Sequence, residues 1–211
     1  MKNLYYQLLV EILGAGQIAK SNKGQHKFLL NKSLSLNEED LFRIFNEHSI
    51  AKIKLKNELE LYMKGETLIE KYNNKSIVWW DYCKPELINS YPDYFKALPS
   101  LIDKINNEKK YSRNYILIIG NNEKTNQKPC VNLMQFQIIN NNLYITVYQR
   151  SADANLGLPS DLWQTFLIAE KIQMPLANIT FFIGNIHIYN NNIENTYKLL
   201  SGHKVSFNLN I

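Results

Sequence analysis

The sequence predicts a mixed α/β domain, and three observations carry the prediction. Apolar residues recur at helical spacing in the first half, as at Ile53, Leu55, Leu59, Tyr62 and Met63. The second half turns to β-branched and aromatic runs, "NYILIIG", "VNLMQFQII", "LYITVYQR" and "NITFFIGNIHIY". Helical stretches lie between those runs, so strands and helices interleave. Nothing reads as a linker or a repeat, and the chain of 211 residues is expected to form one domain, 1–211, with a sizeable core.

Taken in order, "MKNLYYQLLVEILGAG" is apolar enough to pass for a signal peptide, but Glu11 interrupts it and no clean small-residue cleavage site follows. Asn3 to Leu13 is read instead as an amphipathic helix ending at Gly14 or Gly16. "QHKFLLNKSLSL" is a strand and turn, with Ser35 or Asn37 capping the helix of "NEEDLFRIFNEH". Ile53 to Lys64 is helical and stops at Gly65. "SIVWWDYC" is a short apolar segment, and "PDYFKALPSLIDKINNEKK" is a helix bent or restarted at Pro99. Of the strands that follow, "VNLMQFQII" and "LYITVYQR" are joined by "NNN" as a hairpin. "PSDLWQTFLIAEKIQM" is a buried helix, and "NNNIENTYKLLSG" is a helix closed by Gly202.

Composition narrows the function. Apolar residues at 45% and charged residues at 20% are ordinary for a soluble globular protein. No apolar run reaches the length of a membrane span. Two cysteines argue against a disulfide scaffold and fit a reducing cytoplasm. The histidines are scattered without metal-ligand spacing, so no metal is expected. The net charge of +5 is modest and spread out, and "EKYNNKS" and "NNEKKYSRN" read as solvated turns. That balance suits an anionic small molecule and gives no stripe for nucleic acid.

The most informative stretch is "YQRSADANLGLPSDLWQTFLIAEKI", Tyr148 to Ile172, with Pro129-Cys130 about twenty residues before its arginine. It closely resembles the signature of the thymidylate synthase family, Gln-Arg-Ser-x-Asp-x-x-Leu-Gly-x-Pro-x-Asn after a Pro-Cys. Gln149, Arg150, Ser151, Asp153, Leu156, Gly157 and Pro159 match it. "GNIHIYNNNIE" resembles the family's Gly-Asp-x-His-x-Tyr segment and supplies His187 and Tyr189. "NELELYMKGET" resembles its Glu-bearing helix and supplies Glu58; "VWWD" resembles its Trp-Asp segment, and "YSRNYILI" its Ser-Arg-Arg strand. Six segments agree in order and approximate spacing, over most of the chain.

The resemblance implies a layered α/β fold with a twisted mixed sheet, paired sheet to sheet as a homodimer. It implies a pyrimidine nucleoside monophosphate as substrate and 5,10-methylenetetrahydrofolate as one-carbon donor. It makes Cys130 the nucleophile, places Arg150, Ser151 and Gln149 on the nucleotide, and sends Arg113 to the partner subunit's phosphate site. It puts His187 and Tyr189 on the sugar hydroxyl, Asp153, Leu156, Gly157 and Trp80 on the folate side, and Glu58 in water and proton transfer. The chemistry agrees: pyrimidine C5 is a poor nucleophile until a thiolate adds at C6, and a thiolate also leaves readily. Arg150 is expected to lower the thiol pKa and to hold phosphate. Taken singly, each residue has an ordinary structural reading, a core thiol for Cys130 or a helix-terminal carboxylate for Asp161; the six-segment frame favours the site reading. Cys83 is read as a core thiol, and His26, His48 and His203 as fillers.

Departures from the family pattern carry the specificity. Asp161 stands where thymidylate synthases have Asn, and Val131 where uracil-specific members have His after the cysteine. An amide accepts from N3–H and donates to O4 of uracil; cytosine inverts that edge, and a carboxyl can accept from its amino group. Asp at this position resembles the cytidylate hydroxymethylases, so the expected activity is C5 hydroxymethylation of CMP or dCMP. The alternatives are a divergent thymidylate synthase methylating dUMP and a non-catalytic nucleotide-binding homologue. Asn114 replaces the family's second consecutive arginine and Asn22 its phosphate-loop arginine, with Lys20 or Lys23 as candidate substitutes lacking the bidentate fork. The sequence ends at "HKVSFNLNI", where the family usually has a segment closing over folate, so a missing closing segment is expected.

Overall fold

A computed structural model describes residues 3–21, 23–72, 84–120, 124–125 and 128–207. The helices are α1 (Leu4–Ala15), α2 (Glu38–Glu47), α3 (Lys52–Met63), α4 (Tyr91–Phe95), α5 (Leu98–Glu108), α6 (Gly157–Lys171) and α7 (Ile193–Leu200). The strands are β1 (Gln17–Ser21), β2 (Gly24–Leu36), β3 (Ile116–Ile118), β4 (Val131–Ile139), β5 (Asn142–Asp153) and β6 (Leu176–Tyr189). They form one sheet in the order β1-β2-β6-β5-β4-β3. All pairs are antiparallel except β5–β6, whose parallel pairing requires the crossover that α6 provides. The α/β expectation with a mixed sheet holds.

Local chemistry explains most boundaries. The Asn3 side chain accepts from the Tyr5 amide at 2.9 Å and starts α1; Asn37 accepts from the Asp40 amide at 2.9 Å and starts α2. Ser35, the other candidate cap, is instead paired within β2 opposite Thr180. Gly65, at φ +70°, adopts the left-handed conformation that ends α3. The helical run around Pro99 restarts there, with the proline in the first turn of α5, where a missing N–H costs nothing. Asn140 and Asn141 both have positive φ, 51° and 60°, and Ile139 pairs with Asn142, so the expected hairpin has a tight two-residue turn. Strand β1 was not foreseen: "QIAKS" alternates no apolar residues and is mostly exposed, and only pairing with β2 makes it a strand. The segments holding Asn22, Trp80 and Cys83 lie outside the described residues.

Residues of α1, α2, α5 and α6 share one core with the inward side chains of the sheet, including Phe136, Ile145, Val147 and Phe181. Tyr148 of β5 and Phe182 of β6 stack with ring centroids 5.3 Å apart and stay exposed. Register then gathers chemistry at one end of the strands. Val131 pairs with Gln149, Asp153 with His187, and His26 with Tyr189. Gly184 is required where β6 passes β5: a Cβ there would lie 2.9 Å from the Arg150 carbonyl oxygen.

His48 is not a filler. It is buried at the end of α2, where its Nε2 meets the Tyr5 hydroxyl at 2.9 Å; that hydroxyl donates to the Ala154 carbonyl, also at 2.9 Å. Phe207 stacks on the imidazole at 5.5 Å. The imidazole therefore ties the end of α2 to Tyr5 of α1, and the Tyr5 hydroxyl ties α1 to the loop between β5 and α6. Burial pushes its pKa down from 6.5 to about 4. An unfolded chain takes up this proton near 6.5, whereas the folded one resists until about 4, so the contribution is complete above 6.5 and lost as pH falls. His48→Gln keeps a donor toward Tyr5 and removes the titration. Urea unfolding from about pH 7 down to about pH 4 is expected to show a shallower loss of stability in this variant than in the parent chain.

Candidate active site

A cleft of about 620 Å³ opens at the end of the sheet where that register converges. Every described residue expected in the site lines it except Arg113: Cys130, Glu58, Asp161, Gln149, Arg150, Ser151, Asp153, Leu156, Gly157, His187 and Tyr189. Arg113 is exposed in the loop before β3, where its carbonyl accepts from the Gln135 amide at 3.0 Å. Trp80 lies outside the described residues.

Cys130 sits on the turn into β4, just before a bulge between Val131 and Leu133. Two residues fix that turn. Arg150 donates from its backbone N–H to the Cys130 carbonyl at 2.9 Å, from Nε to the Pro129 carbonyl at 3.0 Å and from Nη2 to the Lys128 carbonyl at 3.0 Å. Tyr91 accepts with its hydroxyl oxygen from the amides of Cys130, at 2.9 Å, and Val131, at 3.1 Å. The Cys130 and Asp161 charges both bear on the phenol. Tyr91 was missed in the sequence: its partners lie about forty residues away, and nothing in "NSYPDYF" announces them.

Burial of the thiol outweighs Arg150, which lowers its pKa as expected. Burial raises the pKa of Cys130, and the Asp161 carboxylate raises it further; Arg150 and Lys23 pull it down without offsetting the burial. Resting Cys130 is therefore a thiol rather than an activated thiolate.

The carboxyl groups divide by surroundings. Asp161, on the second turn of α6, accepts from Gln149 Nε2 at 2.6 Å. Burial nevertheless raises its pKa from 3.8 to about 7; the Gln149 bond opposes the shift and the Glu58 charge adds to it. Glu58 on α3 accepts from Gln164 Nε2 at 2.8 Å and bonds to the Tyr62 hydroxyl. Asp153 is pushed by burial to about 6; its Oδ1 accepts from the Asn155 amide at 2.9 Å, and its buried Oδ2 has no partner among the described residues.

His187 is buried, and its pKa is pushed down to about 4, chiefly by burial and then by His26 and Lys23. Its Nδ1 donates to Asn185 Oδ1 at 3.1 Å, leaving neutral Nε2 as an acceptor. His26, read from sequence as a filler, packs 5.2 Å from His187 and 5.6 Å from Tyr189. Of the two lysines considered for the missing arginine, Lys23 lines the cleft and Lys20 does not. Lys128 also lines the cleft, with Lys23, Arg150 and Ser151.

Tyr91→Phe leaves two backbone N–H groups without their acceptor. We expect a loss of about 1–3 kcal/mol in urea unfolding. We also expect slower alkylation of Cys130 by iodoacetamide in the folded state, measured by mass. Unchanged stability would mean that the two amides find other acceptors.

The family model described as thymidylate synthase matches residues 3–210. The thymidylate synthase of Buchnera aphidicola subsp. Acyrthosiphon pisum (strain APS) is 30% identical over 157 residues, which cover 65% of this chain and 60% of that protein. The thymidylate synthase of Buchnera aphidicola subsp. Baizongia pistaciae (strain Bp) is 29% identical over 161 residues, 67% of this chain and 61% of that protein. The chain thus spans about 60% of the length of the curated relatives it matches. The family match takes in every strand of the sheet and the whole lining of the cleft, and the chain belongs to the thymidylate synthase family.

Proposed function

We propose that this chain transfers a one-carbon unit to C5 of CMP or dCMP and releases the 5-hydroxymethyl nucleotide. The observation that carries the reading is a carboxyl, Asp161, where thymidylate synthases have an amide, lining the same cleft as Cys130 and bonded to Gln149. Protonated, it donates to N3 of cytosine and accepts from the 4-amino group, completing both hydrogen bonds of that edge. Val131 beside the cysteine is consistent, because it brings no polar group to the base.

In this reading Cys130 loses its proton as substrate binds, and its sulfur bonds to C6. The C5=C6 electrons move toward C5, which bonds to the one-carbon unit and gives up its hydrogen as a proton, while that carbon's bond to its donor nitrogen breaks and tetrahydrofolate would leave. Water adds to the exocyclic carbon, the C6–S bond breaks, and the thiolate returns. Glu58, held by Gln164 and Tyr62, positions the water and relays protons. Arg150, Ser151, Lys23 and Lys128 hold the phosphate, with Arg113 contributed across a sheet-to-sheet homodimer. His187 Nε2 accepts from the sugar hydroxyl beside Tyr189.

The buried Asp153 Oδ2, which has no partner among the described residues, fits an N–H donor of a pterin ring, with Leu156 and Gly157 lining the same cleft. Methylenetetrahydrofolate, when bound there, supplies carbon at the oxidation level of formaldehyde. The second reading, methylation of dUMP, is favoured by the names of the curated relatives. A protonated Asp161 can also serve uracil, accepting from N3–H and donating to O4.

Incubation with CMP, dCMP and dUMP plus methylenetetrahydrofolate, read by mass, tests the choice. Gain of one CH₂O unit on a cytidylate is expected, and none with Cys130→Ala. Product from dUMP alone would sink the cytidylate reading. Because a raised carboxyl pKa means protonation below it, cytidylate affinity is expected to fall as pH rises through about 7. Asp161→Asn should abolish that step and shift preference toward uridylate; a step that persists would assign the titration to another group.

A further inference from the structure

We infer that Gln149 is a specificity-determining residue whose buried Oε1 accepts the second N–H of the cytosine 4-amino group, while Asp161 takes the N3 side of the same edge. The inference rests on the cytidylate reading above and deepens it.

Gln149 is 97% buried, with 3% of its surface exposed, yet it lines the cleft. Its Nε2 is committed to Asp161 Oδ2 at 2.6 Å. That bond fixes the amide orientation, so Oε1 is the free end, and Oε1 has no hydrogen-bond partner among the described residues. Buried amide oxygens are rarely left so. Directly opposite Gln149 across the β4–β5 pair stands Val131, buried and with no side-chain donor. The protein thus presents an acceptor beside Asp161 and leaves a bound molecule to supply the N–H.

An exocyclic amino group has two hydrogens. One lies on the N3 side, within reach of the carboxyl that pairs with N3. The other points toward C5, and Gln149 Oε1 is the acceptor the cleft offers it. Uracil places O4 lone pairs at the same position, so two acceptors face each other in a buried place. The pairing also divides labour within the Gln149–Asp161 unit. The amide donor keeps Oδ2 an acceptor, so when Asp161 is protonated its proton sits on Oδ1, free to serve N3.

The test uses CMP, UMP and the 2-pyrimidinone ribonucleotide, which has hydrogen at C4 and retains N3, with Kd measured by calorimetry at about pH 6. The parent chain is expected to bind CMP at least about tenfold more tightly than the pyrimidinone. Gln149→Met, which keeps the length and removes the oxygen, is expected to weaken CMP about tenfold and the pyrimidinone less than about twofold. Equal weakening of both would show that Gln149 acts only by positioning Asp161, and would overturn the inference. Tighter UMP than CMP binding by the parent chain would instead sink the cytidylate reading itself.

Gln149→Glu guards against a misfolded methionine variant, because it keeps an oxygen in place. It adds a carboxyl to a group already faced by Glu58 of α3, Tyr91 of α4 and Cys130 before β4. Adjacent carboxyls share a proton to higher pH. This variant should retain the CMP preference, and the pH at which CMP affinity falls should move upward. Loss of the preference in this variant too, with its melting temperature unchanged, would count against an acceptor role.

Discussion

Arg150 ties the turn that carries Cys130 to the adjacent strand. A cysteine on a turn beside a bulge has no sheet ladder to hold it, so the carbonyls of Lys128, Pro129 and Cys130 need donors from elsewhere. Arg150 supplies all three, and the Tyr91 hydroxyl takes the amides of Cys130 and Val131. The sulfur's position follows from these five bonds rather than from its own packing. β5 must in turn run close to β6, which the missing side chain at Gly184 permits. The parallel β5–β6 pair then sets α6, and with it Asp161, over the same cleft.

Burial pushes four groups of that cleft toward the uncharged form. It raises Cys130, Asp153 and Asp161 and lowers His187. The same lining carries the cations Lys23, Lys128 and Arg150. A cleft of this mixed character suits a molecule that joins a neutral ring to an anionic group.

Much of this was legible because the relevant signals are local. Helical spacing gave α3 and α6, alternating β-branched and aromatic runs gave β4, β5 and β6, and the caps Asn3 and Asn37 are short-range chemistry. The site was legible through motif order, which placed eleven residues on one cleft. What escaped depends on distant partners. β1 exists only by pairing with β2, Tyr91 acts on amides about forty residues away, and His48 acquires its role from Tyr5 and Phe207. The thiol pKa escaped for another reason: sequence shows the arginine that lowers it but not the burial that outweighs it.

That protonated thiol has a consequence for how the chain withstands oxidants. Peroxide and disulfides react with thiolates, and a cysteine that keeps its proton at neutral pH reacts slowly with both. The same burial that raises the Cys130 pKa thus also slows oxidative loss of its sulfur.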